Sequence, residues 1–154
     1  MRTRAVEVAE TRAGKFQVEI DVRGHTVVAD EPVEVGGLGS GPDPYELLAA
    51  ALGACTAMTA RMYADYKGIA LERVRVEVRH ETGEGPPRDR FIREVAFDGD
   101  LTPEQTMRLF EIVEKCPVHN TLANGSRIET RPLAVAGEPH RDEHFRDMDA
   151  ICKE

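Results

Sequence analysis

The chain has 154 residues and a mass of 17.1 kDa, enough for one domain that buries about 70% of its unfolded surface and too little for two independent catalytic domains. Its 20 Lys+Arg against 28 Asp+Glu give a formal net charge of -8 with no basic block, which excludes a general nucleic-acid binder or a ligand of anionic membranes. Five Phe, three Tyr and no Trp leave little for a base-stacking platform or an aromatic cage.

The N-terminal residues, with Arg2, Arg4 and Glu7, build no apolar stretch of signal-peptide type, so a cytoplasmic protein is expected. The first thirty residues alternate like sheet. Phe16, Val18, Ile20 and Val22 share one face, and Gln17, Glu19 and Asp21 the other, the pattern of a half-solvated strand. Ala5 to Val8 and Thr26 to Ala29 are its expected neighbours, joined through a turn at Arg23-Gly24-His25, which makes an N-terminal meander.

Gly36 to Pro44 reads GGLGSGPDP and is a loop, since neither helix nor strand tolerates that density of glycine and proline. It lacks both the Gly-Lys-Ser/Thr ending of a phosphate-binding loop and dinucleotide glycine spacing. Its expected work is to let the chain leave the sheet, with Asp43 capping and Pro44 opening a helix.

Pro44 to Lys67 is helical, with Leu48, Ala51, Leu52, Cys55, Met58, Thr59, Met62 and Tyr66 recurring at three- and four-residue steps and Gly68 as the stop. The uncharged run from Leu47 to Ala60 is 14 residues, short of the roughly 20 a bilayer needs. Alanines at 49, 50, 51, 54, 57, 60 and 64 make the opposite face apolar too. A helix apolar all round must be covered all round, and a second copy of the chain is the simplest cover for what one sheet leaves open.

Arg73 to Arg79 alternates charge with Val74, Val76 and Val78, and Phe91, Arg93, Val95 and Phe97 alternate again after a polar turn. The two segments are expected to pair as a hairpin. Thr102-Pro-Glu-Gln is a capping box that opens a second helix, with Met107, Leu109, Phe110, Ile112 and Val113 as its apolar side, running to about Lys115 or Cys116. Pro117 restarts the chain into a short helix or turn, and Ile128 to Leu133 reads as a last strand. Residues 1–137 are expected to form one domain, and residues 138–154 a charged tail or short surface helix.

Three cysteines, Cys55, Cys116 and Cys152, form no even framework and suit a reducing compartment. Cys55 lies on the apolar stripe without a Cys-x-x-Cys partner, either inert packing or a nucleophile. Cys116 precedes Pro117, where free N–H groups of the next turn favour thiolate. His140-Arg-Asp-Glu-His144 fits H-x-x-E-H, but only ten residues follow, too few for a third zinc ligand on a downstream helix. No metal site is expected from it.

The run GPDPYELLAAALGACTAMTARMYA (Gly41 to Ala64), followed by CPVHNTL (Cys116 to Leu122) with 60 residues between Cys55 and Cys116, resembles the OsmC/Ohr superfamily of osmotically inducible and organic-hydroperoxide-resistance proteins. The likeness covers about Phe16 to Leu133 and includes Asp30-Glu31-Pro32 before the glycine loop. It implies an α+β fold with antiparallel sheets packed on a long buried central helix, an intertwined homodimer with active sites at the subunit interface, and thiol peroxidase chemistry on organic hydroperoxides. No cofactor is implied; an external dithiol supplies the electrons. By the resemblance Cys55 is the peroxidatic and Cys116 the resolving cysteine.

The chain departs from the family pattern at Tyr45, which stands ten residues before Cys55 where better-known members carry a glutamate that holds an arginine against the thiolate. Glu46 is nine residues away, and one residue of helix turns a side chain by about 100°. Arg12 or Arg23 would supply the arginine, with Arg12 preferred. His119 either assists a thiol or is a helix-start surface histidine. Tyr45 either donates a hydroxyl hydrogen or lines an apolar cleft. The competing expectations are a non-catalytic small-molecule-binding or redox-sensing dimer, and Cys–His acyl chemistry through Cys55 and His119.

Overall fold

The computed structural model describes residues 5–133. The N-terminal alternation forms an antiparallel meander of β1 (Glu7–Glu10), β2 (Val18–Val22) and β3 (His25–Ala29) in the order β1-β2-β3. Val8 lies opposite Ile20, and Ile20 opposite Val27. Arg23 and Gly24 both take positive φ, 56° and 81°, between the paired Val22 and His25, the two-residue turn whose twist matches that of the strands. Val6, Val8 and Val27 remain exposed.

The glycine loop follows a 3-10 turn at Val33–Val35. A Cβ on Gly37 would stand 1.8 Å from the Glu31 carbonyl oxygen, and one on Gly41 2.1 Å from that of Val28, so close backbone approach dictates both glycines. The buried Asp30 carboxylate anchors the loop, accepting from the Ser40 hydroxyl (2.7 Å) and from the N–H groups of Glu31 (2.8 Å), Leu38 (3.0 Å) and Ser40 (3.2 Å). The Leu38 and Ser40 amides that a phosphate would need are thus already held by a carboxylate.

Helix α1 spans Pro44–Lys67. Asp43 accepts from the Glu46 N–H, and the Glu46 carboxylate accepts from the Asp43 N–H, each at 2.8 Å, a reciprocal cap that satisfies two otherwise free donors. Gly68 closes the helix in the left-handed region. By length and composition α1 would also suit a membrane span, but in the fold β4, α2 and α3 pack against it.

The hairpin pairs β4 (Leu71–Thr82) with β5 (Asp89–Gly99), setting Val74, Val76, Val78 and His80 opposite Phe97, Val95, Arg93 and Phe91. Helix α2 (Pro103–Val113) starts at the expected capping box of Thr102 and Gln105, and α3 (Pro117–Asn124) starts after Cys116. The core joins Ala60 and Ala64 of α1, Leu71 of β4, and Leu109 and Val113 of α2, with Tyr63, Phe97 and Leu101 packed around them.

Two expectations need correction, and a third is sharpened, since of the two apolar faces expected on α1 this chain covers only one. The stripe of α1 that this chain buries is Leu52, Thr56, Ala60 and Ala64, whereas Met58, Met62 and Tyr66 are 70%, 69% and 83% exposed. Small residues let β4 and α2 approach closely on the alanine side, and periodicity could not rank two apolar faces. Helix α2 ends at Val113, short of Lys115, because the chain turns there to bring Cys116 inward. Ile128 to Leu133 forms no strand, and Ile128 and Leu133 are exposed; apolar alternation makes a strand only where an edge receives its hydrogen bonds. Residues 134–154, with the His140 and His144 motif and Cys152, lie outside the described residues.

Candidate active site

The end of α2 and the start of α3 place Cys116. It is the N-cap residue of α3, with extended backbone (φ -63°, ψ 143°), and its sulfur accepts the N–H of His119 at 3.4 Å. A cap side chain normally offers oxygen to that amide; here the sulfur does, as the sequence position suggested. Pro117, at the first helical position, has no N–H to satisfy. Cys116 is fully buried.

Around the sulfur stands a polar cluster that sequence reading did not assemble. Arg93, on the inward face of β5, has a side chain only 8% exposed. Its Nη1 donates to Thr56 Oγ1 (3.0 Å) and to the Val113 carbonyl (3.2 Å), and lies 4.0 Å from Cys116 Sγ. Its Nη2 donates to Glu114 Oε1 (2.7 Å) and lies 3.5 Å from His119 Nδ1. Thr56 Oγ1 donates to the Leu52 carbonyl at 2.7 Å and lies 4.0 Å from Cys116 Sγ. A buried guanidinium requires such partners, because an unpaired charge in the interior costs several kcal/mol, by about the desolvation of one ion. Arg93 alternates with Phe91, Val95 and Phe97, and a charge on the apolar face of a strand was the signal available in the sequence.

The expected site residues divide. Cys55 is half-buried on α1, and among the described residues none hydrogen-bonds its sulfur. Its chain neighbour Thr56 touches Cys116, so the α1 turn bearing Cys55 lies against the start of α3. His119 joins the same cluster, its Nδ1 3.8 Å from Glu114 Oε2. Tyr45 does not reach it: its ring stacks on His80 with centroids 4.0 Å apart, and His80 Nε2 meets Asp89 Oδ1 at 2.8 Å. Glu46 is engaged in the cap of α1. Arg12 is exposed and pairs with Glu10 at 3.5 Å, and Arg23 sits in the β2–β3 turn. Among the described residues neither arginine hydrogen-bonds a cysteine.

A cleft of about 280 Å³ opens beside His119, with Leu52, Phe91, Leu122 and Ala123 among its lining residues. It offers a largely apolar approach next to the cluster, with Asp89 and Arg90 also in its lining. Among the described residues no group of three His, Cys, Asp or Glu side chains is placed to hold a metal ion.

Residues 37–131 match the family model for OsmC-like protein, and the chain belongs to that family. Solved structures agree in fold. An OsmC-like protein from Mycoplasma pneumoniae is 18% identical, with a TM-score of 0.66 over 79% of this chain and 88% of that one. An organic hydroperoxide resistance protein OsmC from Legionella pneumophila is 26% identical, with a TM-score of 0.58 over 79% and 90%. An organic hydroperoxide resistance protein from Elizabethkingia anophelis is 18% identical, with a TM-score of 0.60 over 79% and 88%. No curated protein matches the chain.

Proposed function

We propose that this protein is a cysteine-based peroxidase that reduces organic hydroperoxides. The carrying observation is the contact of Thr56, next to Cys55 on α1, with the buried sulfur of Cys116 (4.0 Å), which supports a reading in which the α1 turn bearing Cys55 and the start of α3 serve one site. Family membership and the hydroperoxide resistance of the Legionella relative support the substrate class.

In the reaction the Cys55 thiolate attacks the terminal peroxide oxygen and the O–O bond breaks. The departing alkoxide takes a proton and leaves as alcohol, while Cys55 becomes a sulfenic acid. Cys116 condenses with it, forming the disulfide and releasing water. An external dithiol then returns two electrons and two protons and leaves as its own disulfide. No cofactor enters this cycle.

We also propose that the working form is a homodimer, in the cytoplasm. The exposed side chains of Met58, Met62 and Tyr66 on α1 and of Val6, Val8 and Val27 on the meander make an apolar surface suited to burial against a second copy. In such a dimer the partner's N-terminal strands would supply a cation to Cys55, whose sulfur no described side chain hydrogen-bonds. Sedimentation at micromolar concentration tests this; a stable monomer contradicts it.

The second reading, a non-catalytic small-molecule-binding or redox-sensing dimer, draws on Tyr45 stacking against His80 where a glutamate is expected, and on the engagement of Glu46 elsewhere. Reduced protein incubated with cumene hydroperoxide and a dithiol separates the two. Peroxide loss that disappears in Cys55→Ser supports the peroxidase. No loss with the wild-type chain refutes it and leaves the binding module.

A further inference from the structure

We propose that Arg93 is a positioning residue for the second half of this cycle, holding Cys116 in place for condensation with the oxidised Cys55. The inference rests on the peroxidase reading above. No motif in the sequence marks Arg93; its placement does.

The guanidinium ties together four segments. It leaves β5, donates to Thr56 on α1, to the Val113 carbonyl at the end of α2 and to Glu114 in the following turn, and it faces Cys116 and His119 at the start of α3. The hydroxyl proton of Thr56 is directed at the Leu52 carbonyl, leaving the oxygen to accept from Arg93. The two N–H donors that face the Cys116 sulfur are therefore the His119 amide at 3.4 Å and Arg93 Nη1 at 4.0 Å. Both address the sulfur as an acceptor. The contact with Glu114 alone would suffice to neutralise the arginine; the remaining contacts fix where the sulfur stands relative to the α1 turn carrying Cys55.

Condensation is sensitive to that placement. The Cys116 sulfur attacks the sulfur of the Cys55 sulfenic acid, the S–S bond forms, the S–O bond breaks, and the departing hydroxide takes up the Cys116 proton as water. No external oxidant or reductant enters this step. A displacement of the attacking atom by about 1 Å costs up to a hundredfold in such a reaction. The preceding attack of Cys55 on the hydroperoxide does not involve Cys116 and is expected to be indifferent to Arg93.

The test compares the full-length wild type with Arg93→Met, Arg93→Lys and Glu114→Gln, under single turnover with cumene hydroperoxide and in steady state with a dithiol. Expected for Arg93→Met is an unchanged kcat/KM for hydroperoxide, with kcat and KM lowered together on the order of tenfold or more. Its Cys55 sulfenic acid should persist long enough to be trapped by a cyclic 1,3-dione, and excess peroxide should carry Cys55 to the sulfinic acid faster than in the wild type. Arg93→Lys should restore part of kcat. If Arg93→Met does not fold, Arg93→Lys and Glu114→Gln carry the comparison, since Glu114 is largely exposed and its loss only loosens the arginine. Disulfide formation at the wild-type rate in the folded variants overturns the proposal, as does an equal fall in kcat and kcat/KM. Absence of hydroperoxide consumption by the wild type is a different result: it refutes the peroxidase reading, and this inference with it.

Discussion

Cys55 and Cys116 occupy opposite kinds of place. Cys116 is fully buried, caps a helix, and has an arginine, a threonine and a histidine amide around its sulfur. Cys55 is half-buried on an alanine-rich helix, its sulfur without a hydrogen-bond partner among the described residues. One chain therefore builds the surroundings of the second cysteine completely, and leaves those of the first open on a surface that also carries uncovered methionines. A thiol that must meet a substrate needs access, whereas one that must meet another sulfur needs a fixed position. The contrast fits a division of labour between an attacking and a resolving thiol.

The sharpest way to break that comparison is Cys55→Ser, which is expected to lower hydroperoxide turnover on the order of a thousandfold or more; activity near wild type would assign the nucleophile elsewhere. Next is Thr56→Val. It takes away the oxygen that accepts from buried Arg93 and should cost about 1–3 kcal/mol in denaturant unfolding. A cost within error would mean that the cluster is not a unit. In the same assay Cys116→Ala should lose about 1–2 kcal/mol, through the cap contact and the small void it leaves, and Cys55→Ala less than about 1 kcal/mol. Equal losses would erase the contrast.

The smallest effect concerns the loop leading into α1. The hydroxyl of Ser40, helped by the amides of Ser40, Glu31 and Leu38, holds the Asp30 carboxyl below its ordinary value of 3.8, with burial opposing. Because the folded value is the lower one, the stabilisation is complete above the unfolded value and disappears as pH falls through the folded value. Asp30→Asn is therefore expected to be the less stable protein at neutral pH and to lose less stability on acidification below about pH 4. Parallel pH profiles for the two proteins would contradict this.

Local chemistry made much of the fold legible. Asp43 with Pro44, and Thr102 with Pro103 and Gln105, mark two helix starts because caps satisfy donors within four residues of chain. The valines at 74, 76 and 78 mark a strand because pleating alternates sides. The buried face of α1 was not legible in the same way: Ala60 and Ala64 are buried while Met58 and Met62 are exposed, and a helix apolar on all sides gives periodicity no contrast to work with. Ile128 to Leu133 had the composition of a strand, but pairing depends on a partner edge that no short segment encodes.

The amino-acid sequence alone determined the order of the strands and helices from β1 to α3, the starts of α1 and α2, and the two cysteines in their family context, since each depends on nearby residues or on recurring motifs. Only the tertiary structure decided what surrounds the cysteines. Arg93 reads as one more position in an alternating strand until β5, α1, α2 and α3 converge, bringing Thr56, Glu114 and Cys116 to it from 37, 21 and 23 residues away. A buried charge is selected by partners distant in the chain, and the fold alone brings those partners to it.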